Sequence, residues 1–288
     1  MEKKRQIAAV LILLALIGVI AYRHSTGKDL EKYEHLFFDV FDTQTQIIGY
    51  ASSKEQFSEQ MSLIKDKFQY YNDLYDIYHD YEGMNNIKTI NDNAGIQPVK
   101  VDEEIIELLK LGITMDEKTD GNMNIAMGSV LSIWHDYREA GSEDPYSAEL
   151  PPMDELERAA EHTDIHNIVI DEEASTVYLT DPDMSLDVGS IGKGYAVEKV
   201  AEYAKNELGI RYMLFSVGGN VCAIGGHPDG SAWAVGIQNP DVESIRLYKK
   251  SGSSGFKRGN EWKLSTLLYS RWKKILSHYQ SGYPDAGR

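Results

Sequence analysis

The stretch Ser185-Leu-Asp-Val-Gly-Ser-Ile-Gly-Lys-Gly-Tyr-Ala-Val-Glu198 decides how the rest of this 288-residue chain is read. A run of β-forming residues, Thr176–Leu179, precedes it, and a segment with helical apolar spacing, Tyr195 to Leu208, follows. The stretch therefore reads as a glycine-rich turn between a strand and the opening of a helix. Gly189, Gly192 and Gly194 would let backbone approach a ligand closely, and a helix N-terminus offers N–H groups to phosphate. Asp187 and Lys193 add a carboxylate and a cation at the same turn. That combination suits a phosphorylated ligand, with or without a divalent cation. A glycine turn selected only for tight packing would share the pattern. The spacing is not GxxxxGK[ST], nor G-x-G-x-x-G after a strand, so it is neither a P-loop nor a dinucleotide fingerprint. A nucleotide kinase built on Gly189 to Lys193 would also lack the hydroxyl expected after its lysine.

Outward from this turn, the length allows one large domain or two small ones with a sizeable core. The 18 tyrosines and an aromatic content of 10% mark a globular chain. A formal charge of −16 argues against nucleic acid or an anionic membrane surface as partner. The single cysteine, Cys222, excludes an internal disulfide, and its neighbours Val221, Ala223 and Ile224 predict a buried apolar residue. Lys3, Lys4 and Arg5 precede an apolar run from Ile7 to Tyr22, the order of a signal peptide or N-terminal anchor. Tyr22-Arg23-His24 offers no small-x-small cleavage site, which favours an uncleaved anchor. The positive charges stand before the run and so put the body outside the cytoplasm.

Along the body, Leu36 to Tyr50 predicts two short strands. Ser53 to Tyr81 predicts a helix, with Phe57, Met61, Ile64, Phe68, Tyr71 and Tyr75 forming a core stripe. Asn91 to Gly95 reads as a turn. Val101-Asp102 reads as the cap of a helix from Glu103 to about Thr119. Asp154 to Thr163 is a short helix, and Ile165 to Ile170 with Thr176–Leu179 a hairpin across Asp171 to Glu173. Arg211 to Ser216 and Ala232 to Ile237 are further strands. This order predicts an α+β fold rather than a doubly wound sheet. His162 and His166 stand four apart and could pair on a metal within a helix, but the helix is expected to end between them and no third ligand is in reach.

The Ser185–Glu198 stretch resembles the signature "D-L-G-x-I-A-K-G-Y-A-x-D/E" of the ApbE-type flavin transferases, and the resemblance continues in order from about Phe38 to Pro240. Phe41-Asp-Thr43 stands where that family has Met-Gly-Thr. Asn86-Ile-Lys-Thr-Ile-Asn91 matches "S-x-I-x-x-L-N". Thr119-Asp-Gly-Asn-Met-Asn-Ile-Ala-Met-Gly128, followed by Trp134, matches "T-D-G-A-F-D-x-T-x-G-P-L…W". Val217-Gly-Gly-Asn220 matches "x-x-G-G-N" before a further strand. The resemblance implies antiparallel, T-fold-like sheets with packed helices behind an N-terminal membrane or signal segment at 1–27. It implies Mg²⁺-dependent transfer of FMN from FAD to a Thr or Ser hydroxyl of an acceptor protein, with release of AMP. By motif position, Ser190 would give a backbone oxygen to the metal and Lys193 would contact FAD. Asp187 would orient the turn or the metal's water shell. Phe41, Tyr78 and Asn124 would line the flavin or adenosine pocket. Phe41 replaces the family's Met, and Asn124 replaces an Asp and so removes a charge.

The transferase body spans 28–245, and the tail 246–288 departs from it. Up to Ile245 there are 19 cationic and 43 anionic residues; from Arg246 onward there are 10 and 2. The family's "T-S-G-x-Y-x-R-Y" and "H-I-I-x-P-x-T" segments are both absent. Codons for Asn260 to Gly287, read one base forward with permitted synonymous choices, give T-S-G-N-Y-Q-R-Y-Y and then I-V-D-G-K-K-Y-Y-H-I-I-N-P-D-T-L-M-P. The tail therefore reads as an out-of-frame translation beginning between about Pro240 and Gly255. The second of those segments carries the His that the family places near the reacting phosphate, so no catalytic residue is assigned here. The rival expectation is an inactive or merely nucleotide-binding product.

Overall fold

The computed structural model describes residues 30–146, 148–237 and 249–252. The apolar run Ile7 to Tyr22 and all but four residues of the tail lie outside them. Among the described residues no helix is long and apolar enough to cross a membrane. The chain divides into two compact units, one of residues up to Lys65 together with those from Val197 onward, the other Asp66–Ala196.

The first unit is built on an antiparallel sheet of β1 (Glu31–Val40), β2 (Thr43–Ala51), β6 (Met213–Val217) and β7 (Asn220–Ile224), in the order β1-β2-β6-β7. Alternation explains it. Thr45, Ile47, Gly49 and Ala51 of β2 are buried, as are Met213, Phe215 and Val217 of β6, while the residues between them are more exposed. The first half of helix α1 (Lys54–Leu74) supplies Phe57, Met61 and Ile64. Gly49 makes room for Met213, whose Cε would lie 2.8 Å from a Cβ there and would have to move aside. Cys222 is half-buried rather than buried: β7 is a sheet edge among the described residues and covers only Ile224 fully. β8 (Ala234–Ile237) pairs with β9 (Lys249–Gly252).

The second unit holds α2 (Ile87–Asp92), β3 (Val99–Lys100), α3 (Glu103–Lys118), α4 (Gly128–Glu143), α5 (Met153–Ala160), β4 (Ile168–Asp171) and β5 (Thr176–Leu179). It also holds the start of α6 (Gly192–Asn206). The three short strands form an antiparallel sheet in the order β3-β5-β4. The α+β architecture with antiparallel sheets and packed helices is as expected.

Four local readings change. Helix α1 ends at Leu74, not Tyr81, because Asp76 Oδ1 accepts the N–H groups of Tyr78 at 2.6 Å and His79 at 3.3 Å and turns the chain aside. Asp102 stands at the N-cap of α3 without a side-chain capping bond, its carboxylate accepting instead from the Tyr70 hydroxyl at 2.9 Å. Two helices, α2 and α4, were not expected. The first is nucleated by a capping box in which Asn86 Oδ1 accepts from Thr89 N–H at 3.0 Å and Thr89 Oγ1 accepts from Asn86 N–H at 3.2 Å.

Candidate functional site

Three segments far apart in sequence close on one another in the second unit. Asn91, the last residue of the Asn86-to-Asn91 motif, grips the backbone of Leu186. Its Nδ2 donates to the Leu186 carbonyl at 3.0 Å, and its Oδ1 accepts from the Leu186 N–H at 2.7 Å. From the Thr119-to-Gly128 motif, the Ile125 carbonyl accepts from Asp187 N–H at 2.9 Å, and Gly128 N–H donates to the Ser185 carbonyl at 3.1 Å. Leu186 is wholly buried between these contacts. The approach explains Gly128: a Cβ there would lie 2.6 Å from the Ser185 carbonyl oxygen, which backbone cannot yield.

Beyond Leu186 the glycine turn opens. Asp187 Oδ1 accepts from Gly189 N–H at 2.8 Å, and the Val188 carbonyl accepts from Ile191 at 3.0 Å and Gly192 at 2.7 Å. Three of the turn's N–H groups are therefore spent internally. Those of Ser190, Lys193 and Gly194 have no partner among the described residues, so the anion cradle is narrower than the sequence implied. None of the three glycines has a positive φ, and a Cβ at Gly192 would meet Tyr75 at an ordinary 3.5 Å. The glycines keep the turn uncovered rather than supplying a left-handed backbone. Gly189 and Ser190 are exposed; Asp187 and Lys193 are half-buried. Asp187 Oδ2 makes no hydrogen bond among the described residues, which leaves at this turn a hard oxygen of the kind Mg²⁺ takes.

Tyr78 stands on the turn made by Asp76. Its ring lies 5.2 Å from that of His135 on α4. Burial and the negative charge of Asp187 raise its hydroxyl above the ordinary tyrosine range, so these two assigned residues lie within each other's field. Asn124 is committed to the fold. Its Oδ1 accepts from Ala126 N–H at 2.7 Å and its Nδ2 donates to the Thr163 carbonyl at 2.8 Å. An aspartate could make the first bond but not the second, so the departure from the family's acid has a local partner.

Phe41 belongs to the first unit. It and Asp42 form the two-residue turn between β1 and β2, at φ 53° and 48°. Both residues are left-handed, as a type I′ hairpin demands, and a bulky aromatic there is strained. Beside it, Gly218 and Gly219 turn β6 into β7 at φ 52° and 92°. A Cβ at Gly218 would lie 2.5 Å from Thr43 Oγ1, and Gly218 N–H donates to the Gln44 carbonyl at 3.1 Å. The motifs around Phe41 and Gly218 thus share one end of one sheet.

Sequence reasoning did not single out two contacts near the turn. The Tyr195 hydroxyl donates to Glu107 Oε2 at 2.6 Å, tying the first turn of α6 to α3. The Tyr75 hydroxyl is buried without a hydrogen-bond partner among the described residues, and the Cβ and Cδ2 of the same side chain pack against Gly192. Tyr195 lies within the signature and could have been flagged; nothing local marks Glu107.

Comparison with known proteins agrees with this geometry. The chain is 25% identical over 248 residues to an FAD:protein FMN transferase of Klebsiella pneumoniae (strain 342), covering 85% of this chain and 74% of that protein. It is 26% identical over 180 residues to the protein of the same name from Escherichia coli (strain K12), covering 62% of this chain and 50% of that one. Against that and further relatives it spans about half their length. The crystal structure of the ApbE protein from Thermotoga maritima superposes with a TM-score of 0.64 at 22% identity, covering 81% of this chain and 75% of that one. The flavin transferase ApbE from Vibrio cholerae gives 0.60 at 19%, covering 77% and 67%. These two likenesses establish a shared fold. The ApbE family profile matches residues 41–258, a span that includes all three converging segments and most of the chain, and the protein belongs to the ApbE family.

Proposed function

We propose that the intact form of this protein transfers FMN from FAD to a Thr or Ser hydroxyl of an acceptor protein. The observation that carries the reading is the closure of the Asn91 side chain and the Ile125 and Gly128 backbones on the Ser185-to-Asp187 backbone, beneath an uncovered turn bearing Asp187, Ser190 and Lys193. The acceptor oxygen attacks the phosphorus of the FMN moiety, the bond from that phosphorus to the bridging oxygen breaks, and AMP leaves. The hydroxyl proton passes to solvent. The product is a phosphoester-linked flavin. Such chemistry asks a protein for positioning and charge neutralisation more than for covalent help. Lys193 and the uncommitted N–H groups of Ser190, Lys193 and Gly194 hold the pyrophosphate. The Ser190 backbone oxygen and Asp187 would hold Mg²⁺, which when bound neutralises charge on the departing phosphate. Phe41, Tyr78 and Asn124 are assigned to the flavin or adenosine by motif position, Asn124 through a side chain already engaged by Thr163 and Ala126.

The N-terminal run Ile7 to Tyr22 anchors the body on the outer face of the membrane in this reading, within reach of membrane-associated acceptors. The tail is read as out of frame. The family match stops at residue 258, inside the segment where the charge reverses, and this supports a second reading for the chain as it stands: an inactive or merely FAD-binding product. The test is to express this chain and a frame-corrected version beside a flavin-acceptor domain with FAD and Mg²⁺. Covalent fluorescence on a denaturing gel is expected only with the corrected frame. Equal flavinylation by both would refute the frame reading; none by either would refute the transferase reading.

A further inference from the structure

A second constellation lies away from the glycine turn. His162, just past α5, faces the Asp181-Pro182-Asp183 turn. Its Nδ1 is 2.9 Å from Asp181 Oδ2 and 3.1 Å from Oδ1, and its Nε2 is 4.0 Å from Asp183 Oδ2. One ligand atom from each residue falls within 4.8 Å of the others. We propose that His162, Asp181 and Asp183 form a site for a divalent transition-metal ion such as Zn²⁺, Co²⁺ or Mn²⁺, distinct from the Mg²⁺ site proposed at Asp187 and Ser190.

The donor set discriminates. An imidazole with two carboxylates suits such ions, whereas Mg²⁺ prefers oxygen alone. The turn is held in place before any ion arrives. Asp183 N–H donates to Asp181 Oδ1 at 2.9 Å, Gly95 N–H donates to the Leu179 carbonyl at 2.8 Å, and Gly95 packs so closely on Pro182 that a Cβ would lie 2.5 Å from Pro182 Cβ. Metal bonds of about 2.0–2.2 Å would require the three ligand atoms to draw together. Asp183, whose side chain is 73% exposed, is free to swing inward. The neighbouring His166–Asp164 pair, at 2.9 Å, lacks a second carboxylate and serves as the internal control. The site adjoins Thr163, whose carbonyl holds the Asn124 amide.

The test titrates Co²⁺ and Zn²⁺ into the full chain, carrying no histidine tag, following cobalt d–d absorption and calorimetry, with excess Mg²⁺ present throughout. His162→Gln and Asp183→Asn should each weaken binding at least about tenfold, since even outer-shell changes cost 10–100-fold. His166→Gln should leave it unchanged. Circular dichroism checks that Asp183→Asn, an exposed change, is folded. The proposal is overturned if no cobalt bands appear, if the His162 and Asp183 variants bind like the parent, or if His166→Gln weakens binding equally.

Discussion

Asn91→Ala is the sharpest probe of how the candidate site is assembled. The substitution removes both hydrogen bonds to Leu186 and leaves its N–H and carbonyl without partners. An unsatisfied buried group costs about 1–3 kcal/mol. Leu186 is fully buried, but Asn91 itself is only half-buried, so one water can enter the vacated space and restore part of the loss. The expected destabilisation is about 3 kcal/mol, or roughly 6–12 °C in melting temperature for a domain of this size. Urea unfolding followed by tryptophan fluorescence measures it. Asn91→Asp separates the two bonds. The carboxylate still accepts from the Leu186 N–H but sets a second oxygen against the Leu186 carbonyl, so its folded pKa is raised. A raised carboxyl makes stability recover as pH falls through the folded value, because the protonated oxygen then donates to the carbonyl. Gly128→Ala attacks the same backbone from the other side, and its effect should couple with that of Asn91→Ala rather than add. An Asn91→Ala protein within about 0.5 kcal/mol of the parent would refute the clamp, since that is the scatter of ordinary surface changes.

Three further outcomes follow from individual contacts. Lys193→Ala in the frame-corrected chain should weaken FAD binding by about 1.5–3 kcal/mol, the worth of a charge-assisted contact to phosphate; an unchanged calorimetric dissociation constant would remove Lys193 from the ligand. At Asp76, burial opposes ionisation, but the Tyr78 N–H, the Tyr81 hydroxyl and His79 outweigh it and hold the carboxyl below its usual 3.8. A depressed carboxyl contributes stability that is present above the unfolded pKa and lost as pH falls through the folded one, so the parent should lose stability below about pH 4 more steeply than Asp76→Asn. Parallel pH profiles would contradict this. Protease added to intact cells should digest the body, and full protection would rule out the outward orientation read from Lys3 to Arg5 and Ile7 to Tyr22.

The family was legible in the sequence because its motifs are short, ordered and local. Local periodicity also placed most of α1, most of α3 and the β4–β5 hairpin, where Asp171 Oδ1 accepts from Ala174 N–H at 2.9 Å and closes the turn. It misjudged the end of α1 because Tyr75 continues the apolar stripe while Asp76, one residue later, captures the next N–H groups. It missed α2, whose six residues are too few for periodicity to register. What the sequence by itself determined was which segments carry the family's motifs. Only the tertiary structure decided how they meet: Asn91 on Leu186, Ile125 on Asp187, His162 against Asp181, Thr43 under Gly218. Each of these joins groups distant in sequence by a hydrogen bond, an ion pair or a steric fit that leaves no periodic trace along the chain. A helical stripe repeats and can be read from neighbours, but a clamp across 95 residues exists only once the backbone has been folded to bring its two ends together.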